Sequence, residues 1–150
     1  MSADADTRKN AAQMPPLRFE TVPFTKPPPL RDAKVAIVTT AAVLAEGERD
    51  WVQGEQTFRI VDRHDRNVRM AHWSLNFDRT GFASDLNVVF PIDRLEEFAA
   101  MGVIRSVSPR HITFMGALHD TLSTIRLDSG PAAAKVLRDD GTDVVVITGV

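Results

Sequence analysis

The chain has 150 residues, of which 43% are hydrophobic and 25% are charged, a composition typical of one soluble globular domain. Eighteen Lys and Arg against twenty Asp and Glu give a net charge of -2, so there is no basic excess for binding nucleic acid. Cys is absent, which excludes disulfides, thiolate metal sites and a cysteine nucleophile among these residues.

The sequence contains no predicted membrane span. Its longest uncharged stretch, residues 35–45, is far shorter than the roughly 20 apolar residues that cross a bilayer. The N-terminal residues are polar and are not followed by the apolar segment of a secretory signal. We therefore expect a cytoplasmic protein that binds neither a membrane nor a nucleic acid.

Proline marks the first region of the chain. Six of the nine prolines lie between Pro15 and Pro29, three of them consecutive, which excludes a regular helix or a central strand there. We predict that residues 1–33 comprise a disordered start and then an extended Pro-rich arm whose apolar residues dock on a surface. Residues 34–150 are predicted to form a single α/β domain that lacks a C-terminal portion.

The first half of this domain is rich in predicted strands. Residues 35–38 form a continuous apolar run with no polar alternation, which predicts a strand buried on both faces. Residues 57–61 and 68–73 alternate apolar and polar side chains, which predicts strands or hairpin arms nearer an edge. Residues 86–90 form another short apolar run, ended by Pro91, and we predict a strand there as well.

Helices and strands alternate in the second half. We predict a helix over 93–101, followed by extended segments from 103–104 and over 111–115. A helix over 118–127 and a helix over 132–138 come next, the second with Ser129 as its cap and Pro131 in its first turn. The last predicted element is a strand over 144–147. Two continuous apolar strands joined by helices predict a three-layer α/β fold, Rossmann-like or flavodoxin-like, with a mostly parallel sheet.

Ligands of such sheets bind beyond the carboxyl ends of the strands. Thr39, Thr40 and Thr148 follow or end the two apolar strands and are therefore candidate site residues. The fingerprints GxGxxG, GxxxxGK[ST] and GxSxG are absent, so a dinucleotide site, a Walker-type site and a hydrolase elbow are not predicted. The only tryptophans are Trp51 and Trp73, and with no Tyr the sequence does not indicate an aromatic cage for a quaternary amine.

Two histidines are further candidates. His72 lies in a mostly apolar context, where the alternative is a buried histidine bonded to backbone, and His111 follows a predicted bend, where the alternative is a surface turn. With Asp78 they have metal-ligating chemistry, but their spacing specifies no metal site, and we expect none. A metal-assisted hydrolase or racemase that uses both histidines stays a minor alternative.

Four segments, taken together, resemble the selenoprotein B family of glycine, betaine, sarcosine and D-proline reductases, and within it the D-proline reductase type. They are VAIVTTA at 35–41, DLNVVFPIDRL at 85–95, RHITFMG at 110–116 and DVVVIT at 143–148. They occur in the family's order, with similar spacing, between Lys34 and Val150. The family's Ser-His-x-x-Tyr-Asp segment differs here, because a longer stretch separates His72 from Asp78.

The resemblance implies a subunit of a selenol- or thiol-dependent reductase that cleaves a C–N bond of a small amino acid or amine. It places a selenocysteine or cysteine nucleophile directly after Val150, so no catalytic residue is expected within the chain, and the 150 residues alone are expected to be inactive. It also implies a pyruvoyl group on a partner subunit, dithiols as electron donors and a hetero- or homo-oligomer.

Several residues then become candidates for the substrate site or its immediate surroundings. They are Thr39, Thr40, His72, Asp78, Asn87, His111 and Thr148. The alternative hypothesis is a catalytically inactive scaffold or small-ligand-binding subunit of a hetero-oligomer, which the absence of Cys and the Pro-rich arm both favour.

Overall fold

The computed structural model describes residues 24–73, 80–118 and 122–149, together with residues 5, 8–9 and 12–13. Strand β1 (Lys34–Thr39) lies at the centre of a mixed sheet. Along one edge it pairs in parallel with β5 (Ser106–Val107) and β6 (Arg110–Phe114), and along the other with β7 (Val144–Thr148). Strand β3 (Phe58–Asp62) is antiparallel to β6. The predicted mostly parallel α/β sheet is confirmed.

A second, two-stranded sheet lies beside the carboxyl end of β1. Strand β2 (Val43–Ala45) follows β1 closely and pairs antiparallel with β4 (Val68–Met70). The intervening β3 joins the main sheet instead of this hairpin. The strands predicted over 57–61 and 68–73 are thus both present, in two different sheets, but β4 ends at Met70 and residues 71–73 have no regular structure.

Helices cover both faces of the main sheet. They are α1 (Thr80–Ser84), α2 (Ile92–Ala100) and α3 (Gly130–Asp139), with short 3-10 helices at Leu30–Asp32 and Leu86–Val88 and a π-helix at Ile125–Ser129. Helix α2 packs Ile92 and Leu95 with the Val35 side of β1. Helix α3 packs Ala133 and Leu137 with Ala36 on the opposite side. The helices predicted over 93–101 and 132–138 are confirmed.

The strand predicted over 86–90 is wrong, since a 3-10 helix occupies Leu86–Val88. The Asp85 carboxylate accepts the backbone N–H of Asn87 at 2.9 Å and bends the chain into a turn. Val88 is exposed, whereas Val89 and Phe90 are buried. Local side chain–backbone hydrogen bonds therefore override the apolar composition of this segment.

Ser129 stands at the predicted N-cap position of α3, but its side chain does not cap the helix. Its own backbone is already helical, because the π-helix runs directly into α3, and its hydroxyl donates instead to the Gln56 carbonyl at 2.6 Å. Gly130 is required at this junction, since a Cβ there would lie 2.3 Å from the Ile125 carbonyl oxygen. Pro131 lies in the first turn of α3, as predicted.

Other boundaries differ from the predictions. The strand expected from 103–104 begins only at Ser106. Within the predicted helix over 118–127, Leu118 is not helical and helical backbone begins at Ser123, while residues 119–121 lie outside the described part. Burial of β7 also differs from that of β1. Strand β7 lies at the edge of the sheet and has one exposed face, because α3 packs over β1 and β6 instead.

Part of the predicted arm is described. Residues 24–29 have neither helix nor strand and are exposed, and Leu30–Asp32 then turns into the sheet. The arm's other apolar residues, Leu17, Phe19 and Val22, lie outside the described residues. In the part of the chain that the structure describes, no helix is long and apolar enough to cross a membrane.

Candidate functional site

Two of the predicted site residues, Thr39 and Thr148, meet at the carboxyl edge of the parallel strands. They are register partners on β1 and β7. Both hydroxyls donate to the same backbone oxygen, that of Val89, at 2.9 Å from Thr39 and 2.7 Å from Thr148. The Thr39 hydroxyl also accepts the Ala41 N–H at 3.1 Å. This pair therefore ties the loop before α2 to the ends of both strands.

Thr40 lies between the ends of β7 and β6. Its N–H donates to the Thr148 carbonyl at 3.1 Å, and its carbonyl accepts the Gly116 N–H at 2.9 Å. Shortly beyond it, Ala42 adopts a positive φ of 52°, a backbone state that costs a non-glycine residue about 1–2 kcal/mol. The chain thus turns sharply away from the sheet immediately after the threonines.

His72 is buried against the same edge. A Cβ placed on Gly116 would lie 2.3 Å from His72 Nε2 and 3.0 Å from the Thr40 carbonyl oxygen, so the imidazole rests directly on the glycine backbone. We call Thr39, Thr40, His72, Gly116 and Thr148 the edge cluster. It combines three threonine hydroxyls, a buried imidazole and close-packed backbone at the carboxyl ends of parallel strands.

His111 is not part of the edge cluster. It is fully buried within β6, which contradicts the surface-turn alternative, and its Nδ1 accepts the Ile37 N–H at 3.0 Å. Burial lowers the pKa of His111 to about 4, so the ring is neutral at pH 7 and carries its proton on Nε2. Phe90 packs edge-on against the ring, with centroids 5.6 Å apart. His111 completes the hydrogen bonding of β1 where β5 and β6 are interrupted.

Asn87 also serves the framework. Its Oδ1 accepts the Asp93 N–H at 3.0 Å at the start of α2, and its Nδ2 donates to the carboxylates of Asp85 and Asp93 at 2.9 Å each. These bonds shape the loop that presents the Val89 carbonyl to the threonines. Asp78 lies outside the described residues.

An aromatic groove, which sequence reasoning missed, opens beside His72. It has a volume of about 360 Å3, and its lining includes Trp51, Trp73 and Phe82. The Trp73 indole N–H donates to the Trp51 carbonyl at 2.8 Å. The two tryptophans come together because β4 pairs with β2, and that pairing was the only signal that could have indicated the groove.

Charged groups flank this groove. Arg69 forms an ion pair with Asp50 at the rim, where both side chains are exposed. The guanidinium of Arg59 lies 4.1 Å from the ring centre of Trp51 and holds that side of the loop. The groove thus has aromatic walls, one histidine in its lining and an ion pair at its rim.

The described residues offer little to a metal ion. Among them, no three His, Asp or Glu side chains cluster in a way that could hold one. The Nδ1 lone pair of His111 is already engaged by Ile37. The minor hypothesis of a metal-assisted hydrolase therefore receives no support from this part of the chain.

These features define an α/β protein whose candidate ligand site lies at the carboxyl edge of a parallel sheet. Residues 6–150 match the family described as glycine/sarcosine/betaine reductase selenoprotein B, and the chain belongs to this family. The predicted family resemblance is confirmed.

One curated relative shows the same relationship. The chain is 31% identical over 137 residues to the D-proline reductase subunit gamma of Acetoanaerobium sticklandii, a match that covers 85% of this chain and 55% of that protein. The chain thus spans about half the length of this relative. No solved structure matches the chain.

Proposed function

We propose that this chain forms the sheet-bearing part of a selenol- or thiol-dependent reductase that cleaves a C–N bond of a small amino acid or amine. Family membership supports the class of reaction. The observation that carries the proposal is the edge cluster at the carboxyl ends of the parallel strands. Thr39 and Thr148 donate to the Val89 carbonyl there, and His72 lies against Gly116, whose N–H donates to the Thr40 carbonyl.

The attacking atom comes from outside these 150 residues. The family is that of a selenoprotein, and the chain contains no Cys that could replace the selenium. A selenolate or thiolate attacks the carbon that bears nitrogen, the C–N bond breaks, and the amine leaves with a proton. A dithiol then cleaves the new carbon–selenium or carbon–sulfur bond: one thiolate bonds to the selenium or sulfur, and the released carbon takes a proton. The second thiolate frees the selenolate or thiolate as the dithiol closes to a disulfide. A pyruvoyl group on a partner subunit would hold the amine.

Within this scheme the edge cluster orients the reacting groups. Thr39 and Thr148 fix the Val89 loop, and Thr40 and Gly116 bring backbone close to His72. Among the described residues of the edge cluster, we assign proton exchange with substrate to His72, whose imidazole is buried beside Gly116. His111 and Asn87 support the cluster from within the fold.

The finer fold type that we favour is flavodoxin-like. The local strand order β6–β1–β7, with α2 and α3 on opposite faces, corresponds to the 2-1-3 order at the start of that fold. Its ligand site lies at the switch point between the first and third strands, where Thr39 meets Thr148. The fold type and the edge cluster thus support one location for substrate.

The decisive experiment is intact-mass and selenium analysis of the native protein, purified from its source cells through an N-terminal affinity handle that is cleaved off before the mass is measured. We expect a polypeptide heavier than 16.6 kDa that contains selenium or Cys and that consumes a small amine with dithiothreitol as reductant. A native polypeptide of 16.6 kDa without selenium or Cys would overturn the proposal and favour the scaffold hypothesis.

A binding experiment tests the substrate side separately. Trp73 is half-exposed in the groove and Trp51 is buried, so tryptophan emission reports on this region. We expect a saturable change in emission with at least one of glycine, sarcosine, betaine and D-proline, and a smaller change in Trp73→Phe. A flat response to all four, with the variant unchanged, would remove the groove from the substrate site.

A further inference from the structure

The outer face of β7 is apolar and exposed. Val145 is 41% exposed and Ile147 is 72% exposed, whereas Val144 and Val146 on the opposite side pack against the core beneath α2. Register places Val145 beside Ala36 of β1, which is fully buried in the cluster that α3 covers. One face of the sheet is therefore covered over β1 and left open over β7.

The free edge of β7 adds to this surface. All five residues of β7 pair with β1 on one side, and among the described residues no strand pairs with the other side. The strand carries no charge and no proline, the usual protections of an exposed edge. An open, uncharged, β-branched edge beside an exposed apolar face is typical of a surface that another element covers.

The handedness of the strand crossovers indicates which kind of element would cover the exposed face of β7. Helix α2 crosses from β1 to β5 on one face, and α3 crosses from β6 to β7 on the other. Parallel strands are joined by right-handed crossovers, so a continuation outward from β7 would place its helix on the same face as α3. That position lies directly over Val145 and Ile147.

We propose that the face formed by Val145 and Ile147 docks an amphipathic helix from the part of the family's polypeptide that lies outside these 150 residues. The relative's length supports this occupant, since this chain accounts for only 55% of it. A second copy that paired β7 with β7 would cover the edge but leave both side chains exposed on the face. The inference rests on the proposed function, because the same outside segment would bring the nucleophile to Thr148.

The absence of Cys allows a sharp test. Ile147→Cys places a thiol on the proposed surface, and Leu127→Cys, at a residue 74% exposed in the π-helix, is the matched control. In the purified 150-residue chain both thiols should react with a maleimide at similar rates, and circular dichroism checks that both variants fold. In the native protein, with peptide mapping to separate other thiols, reaction at 147 should slow on the order of tenfold or more while 127 stays reactive.

A photo-crosslinking residue at position 147 of the native protein identifies the segment that packs on this face, since the crosslinked peptides can be sequenced by mass spectrometry. A crosslink to peptides outside the 150 residues supports the proposal. A crosslink to these same residues in a second copy overturns it, as does unchanged maleimide reactivity. Reductase activity of the same preparation, assayed with its partner subunit before crosslinking, separates the two hypotheses. An active protein with position 147 accessible refutes the docking alone. An inactive protein in which the crosslink then forms to peptides outside the 150 residues refutes the function alone.

Discussion

Thr39 and Thr148 donate their hydroxyls to one carbonyl oxygen, that of Val89, at 2.9 and 2.7 Å. The two threonines come from neighbouring parallel strands, and the carbonyl comes from the loop that leads into α2. A shared acceptor couples the three segments, because either hydroxyl can still satisfy the Val89 oxygen when the other is lost. The geometry of the candidate site therefore depends on both threonines together.

Substitution of both threonines should cost more than the sum of the single effects. Thr148→Val should lower the free energy of unfolding by about 1 kcal/mol, and Thr39→Val by more, because Thr39 also accepts the Ala41 N–H. The double variant leaves the buried Val89 carbonyl with neither hydroxyl donor. Urea denaturation of the four proteins measures the coupling, with Thr25→Val in the exposed arm as control. Simple additivity would show that the shared acceptor does not link the strands.

Protonation of His111 should destabilise the fold in mild acid. The folded-state pKa is about 4, below the ordinary value of 6.5, so the unfolded chain binds more protons between these values. The stabilisation is fully present above pH 6.5 and is lost as the pH falls toward 4, by up to about 3 kcal/mol. His111→Asn retains an acceptor for the Ile37 N–H but does not titrate, so its urea midpoint should vary less over this range. An equal pH slope in both proteins would contradict the assignment.

Position 116 should accept only glycine as long as the His72 ring occupies its present position. In Gly116→Ala the new Cβ would lie 2.3 Å from His72 Nε2, so the ring must move and we expect a loss of about 2 kcal/mol or more. Gly149→Ala is the matched control, because nothing lies within 4 Å of a Cβ there. Addition of His72→Ala should recover part of the loss, with the 3.0 Å approach to Thr40 remaining. Thermal unfolding of these variants measures their stability. Equal melting temperatures for Gly116→Ala and Gly149→Ala would refute the contact between Gly116 and His72.

Glu55 should stabilise the loop that carries Trp51. Burial alone would raise its pKa, but hydrogen bonds from the Arg49 and Thr57 side chains and the Val52 N–H outweigh burial and lower the pKa to about 2. This stabilisation is present above pH 4.5 and is lost as the pH falls toward 2. Glu55→Gln should cost about 1–2 kcal/mol at pH 7, because water screens part of the interaction, and little near pH 2. A loss that does not change with pH would exclude this ionic role.

The sequence indicated the elements that depend on local pattern. Strand β1 and helices α2 and α3 follow from continuous or periodic apolar residues, which bury the same side chains whatever their distant neighbours are. Strand β7 was recognised for the same reason, but its exposed face was not, because burial depends on whether another element lies above it. The strand predicted at 86–90 failed because hydrogen bonds from Asp85 and Asn87 outweigh apolar composition there.

The family, the candidate residues and the lack of an internal sulfur nucleophile were all readable from the amino-acid sequence. Only the tertiary structure decided which candidates lie together. It brought Thr39, Thr148 and His72 to one edge and placed His111 within the sheet, where its Nδ1 completes the hydrogen bonding of Ile37. The reason is physical: a hydroxyl or an imidazole has the same chemistry in any sequence, but its partner, and so its role, is chosen by chain segments that meet only when the sheet forms.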